Sequence, residues 1–174
     1  ADRERIAFER KGAVIDVLRV EEVSAEGLEK QSRATLLNVC KSCAEPLLAG
    51  LDLPSQPGYE SWRAGQQERT RQLHVRIIDE LTSRDDTNAE QQTALLRRRI
   101  ELDPDNEDAH VRLIAHLAAA GHRADAETQV DISRRMLQSI GTCDEARLKA
   151  ALHGAPKKPA PPPKPGPAPE PATQ

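Results

Sequence analysis

The sequence predicts an all-α chain of antiparallel helical hairpins, and three observations carry that expectation. The aromatic set is only Phe8, Tyr59 and Trp62, so a core must be assembled from Leu, Ile, Val and Ala, which suits packed helices better than stacked strands. Apolar residues recur at three- and four-residue spacing in one window after another. The clearest window, Leu102 to Gly141, is also punctuated at its ends. Asp103, Asp105, Glu107 and Asp108 put negative charge where a helix start favours it, and Pro104 suits the first turn. Ala109, Leu113, Leu117 and Ala120 then form one stripe. Gly121 stops that helix, and Ala126, Val130, Leu137 and Ile140 supply the buried face of a second one that Gly141 closes. Small residues at Ala120, Gly121 and Ala126 let the two backbones approach closely.

The remaining elements follow in order. Ile6 and Phe8, and then Val14 and Ile15, flank Lys11-Gly12, so Arg5 to Phe8 and Ala13 to Val17 read as a short β-hairpin. Helical signal begins near Leu18 with Val20 and Val23, weakens at Gly27, and returns from Arg33 to Cys43 with Leu36, Leu37 and Cys40. Pro46 breaks it before Leu47 to Leu51, and Leu53 to Gly58 is a loop rich in proline. A long helix is expected from Tyr59 to Thr82, with Trp62, Arg69, Leu73, Ile77, Ile78 and Leu81 sharing a side. Asp85 to Asn88 offers turn and N-cap residues. The next helix, Ala89 to Glu101, presents Leu95, Leu96 and Ile100. After the hairpin of Asp105 to Ile140, Asp144 to Leu152 gives a short last helix using Ala146, Leu148 and Leu152.

Composition bounds the function. Nine of the 13 prolines lie between Pro156 and Pro171, in a segment with almost no large apolar residue, which is expected to be a disordered, polyproline-like linker or tail. Lys157, Lys158 and Lys164 against Glu170 give it +2, so the rest of a chain whose total is −3 carries −5. That acidic balance argues against a broad nucleic-acid footprint. No run reaches the roughly 18 apolar residues of a membrane span, and no signal-peptide pattern opens the chain, so a cytoplasmic location without membrane contact is expected. The chain begins at Ala1, and a further domain upstream is expected.

Helical hairpins spaced by about 30 to 35 residues read as a repeat. Leu113, Leu117, Gly121 and Ala126 fall where the tetratricopeptide repeat uses Leu, an aromatic, Gly and Ala, with Pro104 at the end of the preceding unit. The flanks add a sharper match. Cys43 to Leu51 (CAEPLLAGL), with Trp62 and Arg69 beyond it, resembles the segment that leads into the long helix of the bacterial transcriptional activator domain. Ala94 to His110 (ALLRRRIELDPDNEDAH) is similar to the LDPxxExxH junction of that family, and Gly121 to Ala126 and Leu137 to Gly141 are similar to two further elements. The resemblance implies a tetratricopeptide-like domain behind a winged-helix DNA-binding domain, as in regulators of the antibiotic-regulatory type. By that reading residues 1–17 are the end of a winged helix or a short β-hairpin, 18–153 the tetratricopeptide-like domain, and 154–174 the Pro-rich tail. DNA recognition would lie upstream of Ala1.

Residues with chemical potential have ordinary explanations. Cys40 and Cys43 have CxxC spacing, but without a second ligand pair they read as half-buried thiols. His110, His116 and His122 recur every six residues and so sit about 120° apart around a helix, too far apart to converge on one metal. His110 is expected to be packed or hydrogen-bonded, the other two exposed. Arg97-Arg98-Arg99 and Arg134-Arg135 read as a solvated face, with Arg98 pairing with Glu101 or Glu107. No catalytic constellation, cofactor motif or metal-ligand set is present, so the expectation is a non-enzymatic interaction domain that engages a protein partner or a second copy of itself. Its scaffold and candidate interaction residues are Trp62, Arg69, Leu73, Ile77, Asp103, Pro104, Glu107, His110, Leu113, Leu117, Gly121, Ala126 and Val130. A general tetratricopeptide-like adaptor outside transcription is the alternative.

Overall fold

The computed structural model describes residues 15–53, 55–84, 86 and 88–154, and these residues form an all-α architecture of seven helices. Helix α1 (Asp16–Ala25) follows an extended Ile15 and turns Val20 and Val23 into the core. A 3-10 turn at Leu28–Lys30 leads to α2 (Arg33–Ser42), whose N-cap Ser32 accepts a hydrogen bond from the Thr35 amide at 3.1 Å. The second expected strand is therefore corrected at its end, since Asp16 and Val17 open a helix. The first strand and the tail lie outside the described residues.

Helix α3 (Pro57–Ser83) starts on a proline, whose missing N–H costs nothing there. Its C-terminal half is buried through His74, Ile77, Ile78, Leu81 and Thr82, while its first turns are solvent-facing. Helices α4 (Ala89–Leu102), α5 (Glu107–Ala119) and α7 (Glu145–Ala151) each begin after a side-chain cap. Asn88, Asn106 and Asp144 accept from the amides of Gln91, Ala109 and Arg147. Asn106 sets the start of α5 three residues later than the acidic run suggests, so Pro104 belongs to the connection and not to the first turn. Helix α6 (Arg123–Ile140) is separated from α5 by Gly121 at φ +82°, where the His122 amide donates to Leu117 O at 2.9 Å. Gly141, at φ +78°, ends α6 in the same way, with the Thr142 amide on Leu137 O.

Each helix packs on the next: α1 and α2 on α3, α3 on α4, α4 on α5, and α5 on both α6 and α7. One apolar cluster joins Val20, Val23, Leu36, Val39, Ile77, Ile78, Leu81 and Leu95. A second joins Leu96, Leu113, Leu117 and Ala126, and a third joins Val111, Ile114, Ala115, Val130, Leu137 and Leu148. Helix α5 serves two clusters, which is why it is apolar on nearly every side. Leu113 and Leu117 turn toward α4, and Val111 and Ile114 toward α6 and α7. Ala120, Ala146 and Ile140, read from spacing as buried, are exposed. They sit at or near helix ends that no neighbouring helix covers.

Candidate functional site

The connection between α2 and α3 departs from the usual rule that a loop turns its leucines in and its backbone out. Four side chains of α3 capture its polar groups. Arg63 donates to the carbonyls of Leu51 at 2.9 Å and Leu48 at 3.4 Å, and the Tyr59 hydroxyl donates to Leu51 O at 3.1 Å. Gln67 donates to Leu47 O at 2.7 Å, and Glu60 accepts from the Leu53 amide at 2.8 Å. The same Arg63 holds Asp52 and Glu60, each at 2.7 Å. With its backbone satisfied on one side, the loop displays Leu48, Leu51 and Leu53 to solvent, Leu51 at 48% exposure. Leu48 takes φ +54°, a left-handed conformation costing a branched side chain about 1–2 kcal/mol that the clamp must offset.

Trp62, 52% exposed, belongs to this surface. Its ring lies 6.0 Å from that of Tyr59 at a 36° tilt, and the Arg63 guanidinium stacks 5.8 Å from the Tyr59 centroid. Exposed apolar residues scattered singly are ordinary, whereas here three leucines and a tryptophan are exposed on one clamped loop and the helix that follows it. Trp62, expected to share a side with Leu73, Ile77, Ile78 and Leu81, is instead exposed, because the first turns of α3 extend past the helices that cover its later part.

Next to the loop, a cleft of about 610 Å³ opens between the end of α2, the middle of α3 and the end of α4. Arg71 closes one wall by donating to Leu102 O at 2.7 Å while gripping Glu68, and Arg98 closes another through Ala44 O at 2.6 Å and Glu101 at 2.9 Å. The Arg71 bonds hold the Glu68 carboxyl down at about 2. His74 forms part of the floor at 3% exposure. Burial, with the Arg98 charge adding to it, depresses its imidazole to about 4. Burial likewise raises the Cys40 thiol to about 12, helped by Cys43, and the Cys43 thiol to about 11, helped by Asp16. These thiols stay protonated at neutral pH, as buried structural cysteines do. Among the described residues no group of three His, Cys, Asp or Glu is placed to hold a metal.

The expected site residues separate into three places. Arg69 is exposed on α3 and pairs with Glu21 at 3.3 Å, Leu73 is half-buried, and Ile77 is fully buried. Asp103, Pro104, Glu107 and His110 meet at the α4–α5 connection. Asp103 accepts from Arg99 at 3.1 Å and from Asn106 at 3.3 Å. The buried His110 ring spans Pro104 O and Ser133 Oγ, each at 2.8 Å, and Glu107 holds the Asp144 amide and Arg147. Leu113, Leu117 and Ala126 share one core cluster, Val130 lies in another, and Gly121 makes the turn. None of these last two groups reaches the loop surface.

Two readings of polar residues need correction. His116 is half-buried, bonded to Ala89 O at 3.0 Å and Thr93 Oγ1 at 3.1 Å, whereas His122 is exposed as expected. Arg99 is no part of a solvated face. It is buried against Asp79 and Asp103. Periodicity misses the leucine loop because a clamped loop has none. The available signal was the density of leucine between Pro46 and Leu53 beside the α3 residues Tyr59, Arg63 and Gln67.

No family model, no curated protein and no solved structure matches the chain. Among the described residues no helix is long and apolar enough to cross a membrane. The fold and surface together define an all-helical stack with an outward-facing leucine and tryptophan patch at one end.

Proposed function

We propose that the chain is a non-enzymatic, cytoplasmic interaction domain of a bacterial transcriptional regulator, with DNA recognition carried by a winged helix upstream. The observation that carries the interaction reading is the α2–α3 loop, whose backbone is tied to α3 while Leu48, Leu51, Leu53 and Trp62 face solvent. Such a surface is costly to expose unless it meets another protein. The transcriptional context is supported by the resemblance at Cys43 to Leu51 and at Ala94 to His110. The same CAEPLLAGL segment that carries half of that resemblance builds the exposed surface. The partner is a second copy of the chain or a component of the transcription machinery.

Sedimentation of the purified chain, and its titration with purified bacterial RNA polymerase, test the reading. The expected result is self-association or polymerase binding that Leu51→Asp abolishes without altering the helical circular dichroism. Absence of both interactions, or sequence-selective DNA binding by this chain alone, would overturn it.

A further inference from the structure

Among the described residues, large apolar side chains reach solvent in two places. Four belong to the α2–α3 loop surface. The other three, Ile132, Met136 and Ile140, all lie on α6 and are 46%, 38% and 43% exposed. They stand four residues apart, so each is offset from the last by about 40° around the helix and the three form one stripe about 12 Å long. Helix α6 spends Ala126, Val130, Ser133 and Leu137 on its packing against α5 and α7, and the stripe runs beside that buried face. A single exposed isoleucine is ordinary, but three apolar side chains in line make a seam of the kind that packs one helix on another.

Charge along the seam says what would meet it. Asp131 and Arg135 lie one turn apart on the same edge of the stripe. Asp131 accepts from Arg134 at 2.8 Å through Oδ1 alone, and Arg135 is exposed and meets no carboxylate among the described residues. Two copies of α6 set face to face and running oppositely are related by a twofold axis between them, and that axis brings the same edge of each helix together. With the axis level with Arg134, Ile132 of each copy meets Met136 of the other and Ile140 meets Thr128. Asp131 then lies within about 3 Å, measured along the helix, of Arg135 of the other copy. A parallel pair would set that edge against the one bearing Gln129 and Ile140, and would leave Arg135 without a carboxylate.

The geometry points to α6 as the surface on which a second copy of this chain docks, antiparallel and about a twofold axis. This goes beyond the reading of the loop and does not rest on it: α6 takes the second copy, and the leucine loop is left for a different protein. Three apolar side chains per copy make a small interface, so the pairing is of the transient kind, with a dissociation constant of roughly micromolar order.

Sedimentation velocity of the full chain from about 1 to 200 μM is the test. The unaltered chain is expected to pass from monomer to dimer across that range, and Ile132→Asp to stay monomeric with its helical circular dichroism unchanged. Asp131→Arg alone and Arg135→Glu alone each set like charges against one another across the axis, and each is expected to associate about tenfold more weakly. Mixed in equal amounts, these two variants are complementary at both charge pairs, and the mixture is expected to associate within about twofold of the unaltered chain. A damaged fold would not be rescued by mixing. An unaltered chain that remains monomeric throughout, whatever then covers the stripe, overturns the inference. So does a dimer indifferent to Ile132→Asp, or a mixture no tighter than its two components. Leu51→Asp separates this inference from the loop reading, since it is expected to leave the α6 dimer intact while abolishing polymerase binding. If Leu51→Asp dissolves the dimer and Ile132→Asp does not, the second copy sits on the loop and only the α6 inference falls. If Leu51→Asp changes neither interaction while Ile132→Asp dissolves the dimer, the loop reading falls and the α6 inference stands.

Discussion

Two connections in this chain use similar residues and point them in opposite directions. The α4–α5 connection, around Leu102-Asp103-Pro104, turns Leu102 toward the first apolar cluster and gathers its polar atoms into a network of Arg99, Asn106 and His110. The α2–α3 connection, around Pro46-Leu47-Leu48, gives its carbonyls to α3 and its leucines to water. Position in the stack accounts for the difference. The α4–α5 connection is overlain by α3 through Arg71 and by α6 through Ser133, so both polar and apolar groups find partners. Arg98 of α4 reaches the start of the α2–α3 loop at Ala44 O, but from Leu47 to Leu53 the side chains that hold it come from α3. Backbone groups claim those partners first, because an unpaired buried carbonyl costs more than an exposed methyl.

Three perturbations would break or sharpen this contrast. The largest effect is expected from His110→Ala at the buried connection. It removes a ring that satisfies Pro104 O and Ser133 Oγ and leaves a void, costing about 3 kcal/mol in urea unfolding. A loss below about 1 kcal/mol would show that the network positions the helices without stabilising them.

A smaller effect is expected from pH at the cleft that adjoins the loop. His74 is neutral in the fold down to about 4, whereas an unfolded imidazole takes its proton near pH 6.5. Above that value both states are neutral and His74 adds no pH dependence. Between about 6.5 and 4 the unfolded state is protonated first, so stability falls as pH falls. The contribution reaches about 2 kcal/mol at the low end, allowing for solvent at the cleft mouth. Unfolding followed from pH 7 to 4.5 in the parent and in His74→Gln isolates it, and identical pH profiles would refute it.

The smallest effect is expected where the leucines face water. Leu51→Ala should change unfolding free energy by no more than about 0.5 kcal/mol, read from the same urea curves. A loss comparable to that of His110→Ala would mean that the loop is packed in solution.

The sequence made the helices legible because caps, glycine stops and four-residue spacing are local. Asn88, Asp144, Gly121 and Gly141 do what their types suggest. His110 was legible as a packed residue, although its acceptor on Pro104 and its neighbour Ser133 were not. Interactions that depend on a neighbouring helix escaped detection. Arg99 looked solvated because Asp79 lies 20 residues away, and Trp62 looked buried because its stripe is buried about four turns later in the same helix, at Ile77. The loop surface was the least legible, since its order comes from side chains 7 to 20 residues distant.

Asp79 joins three helices at one carboxylate. It receives Arg99 of α4 at 3.3 Å and Arg112 of α5 at 2.9 Å, and Arg112 also donates to Thr82 one turn along α3. One carboxylate thus pins three successive helices against sliding or rotation, where greasy contacts alone would permit a shift of register. The same carboxylate that α3 contributes at Asp79 is thus shared by the two helices that follow it, which ties the register of α4 and α5 to that of α3.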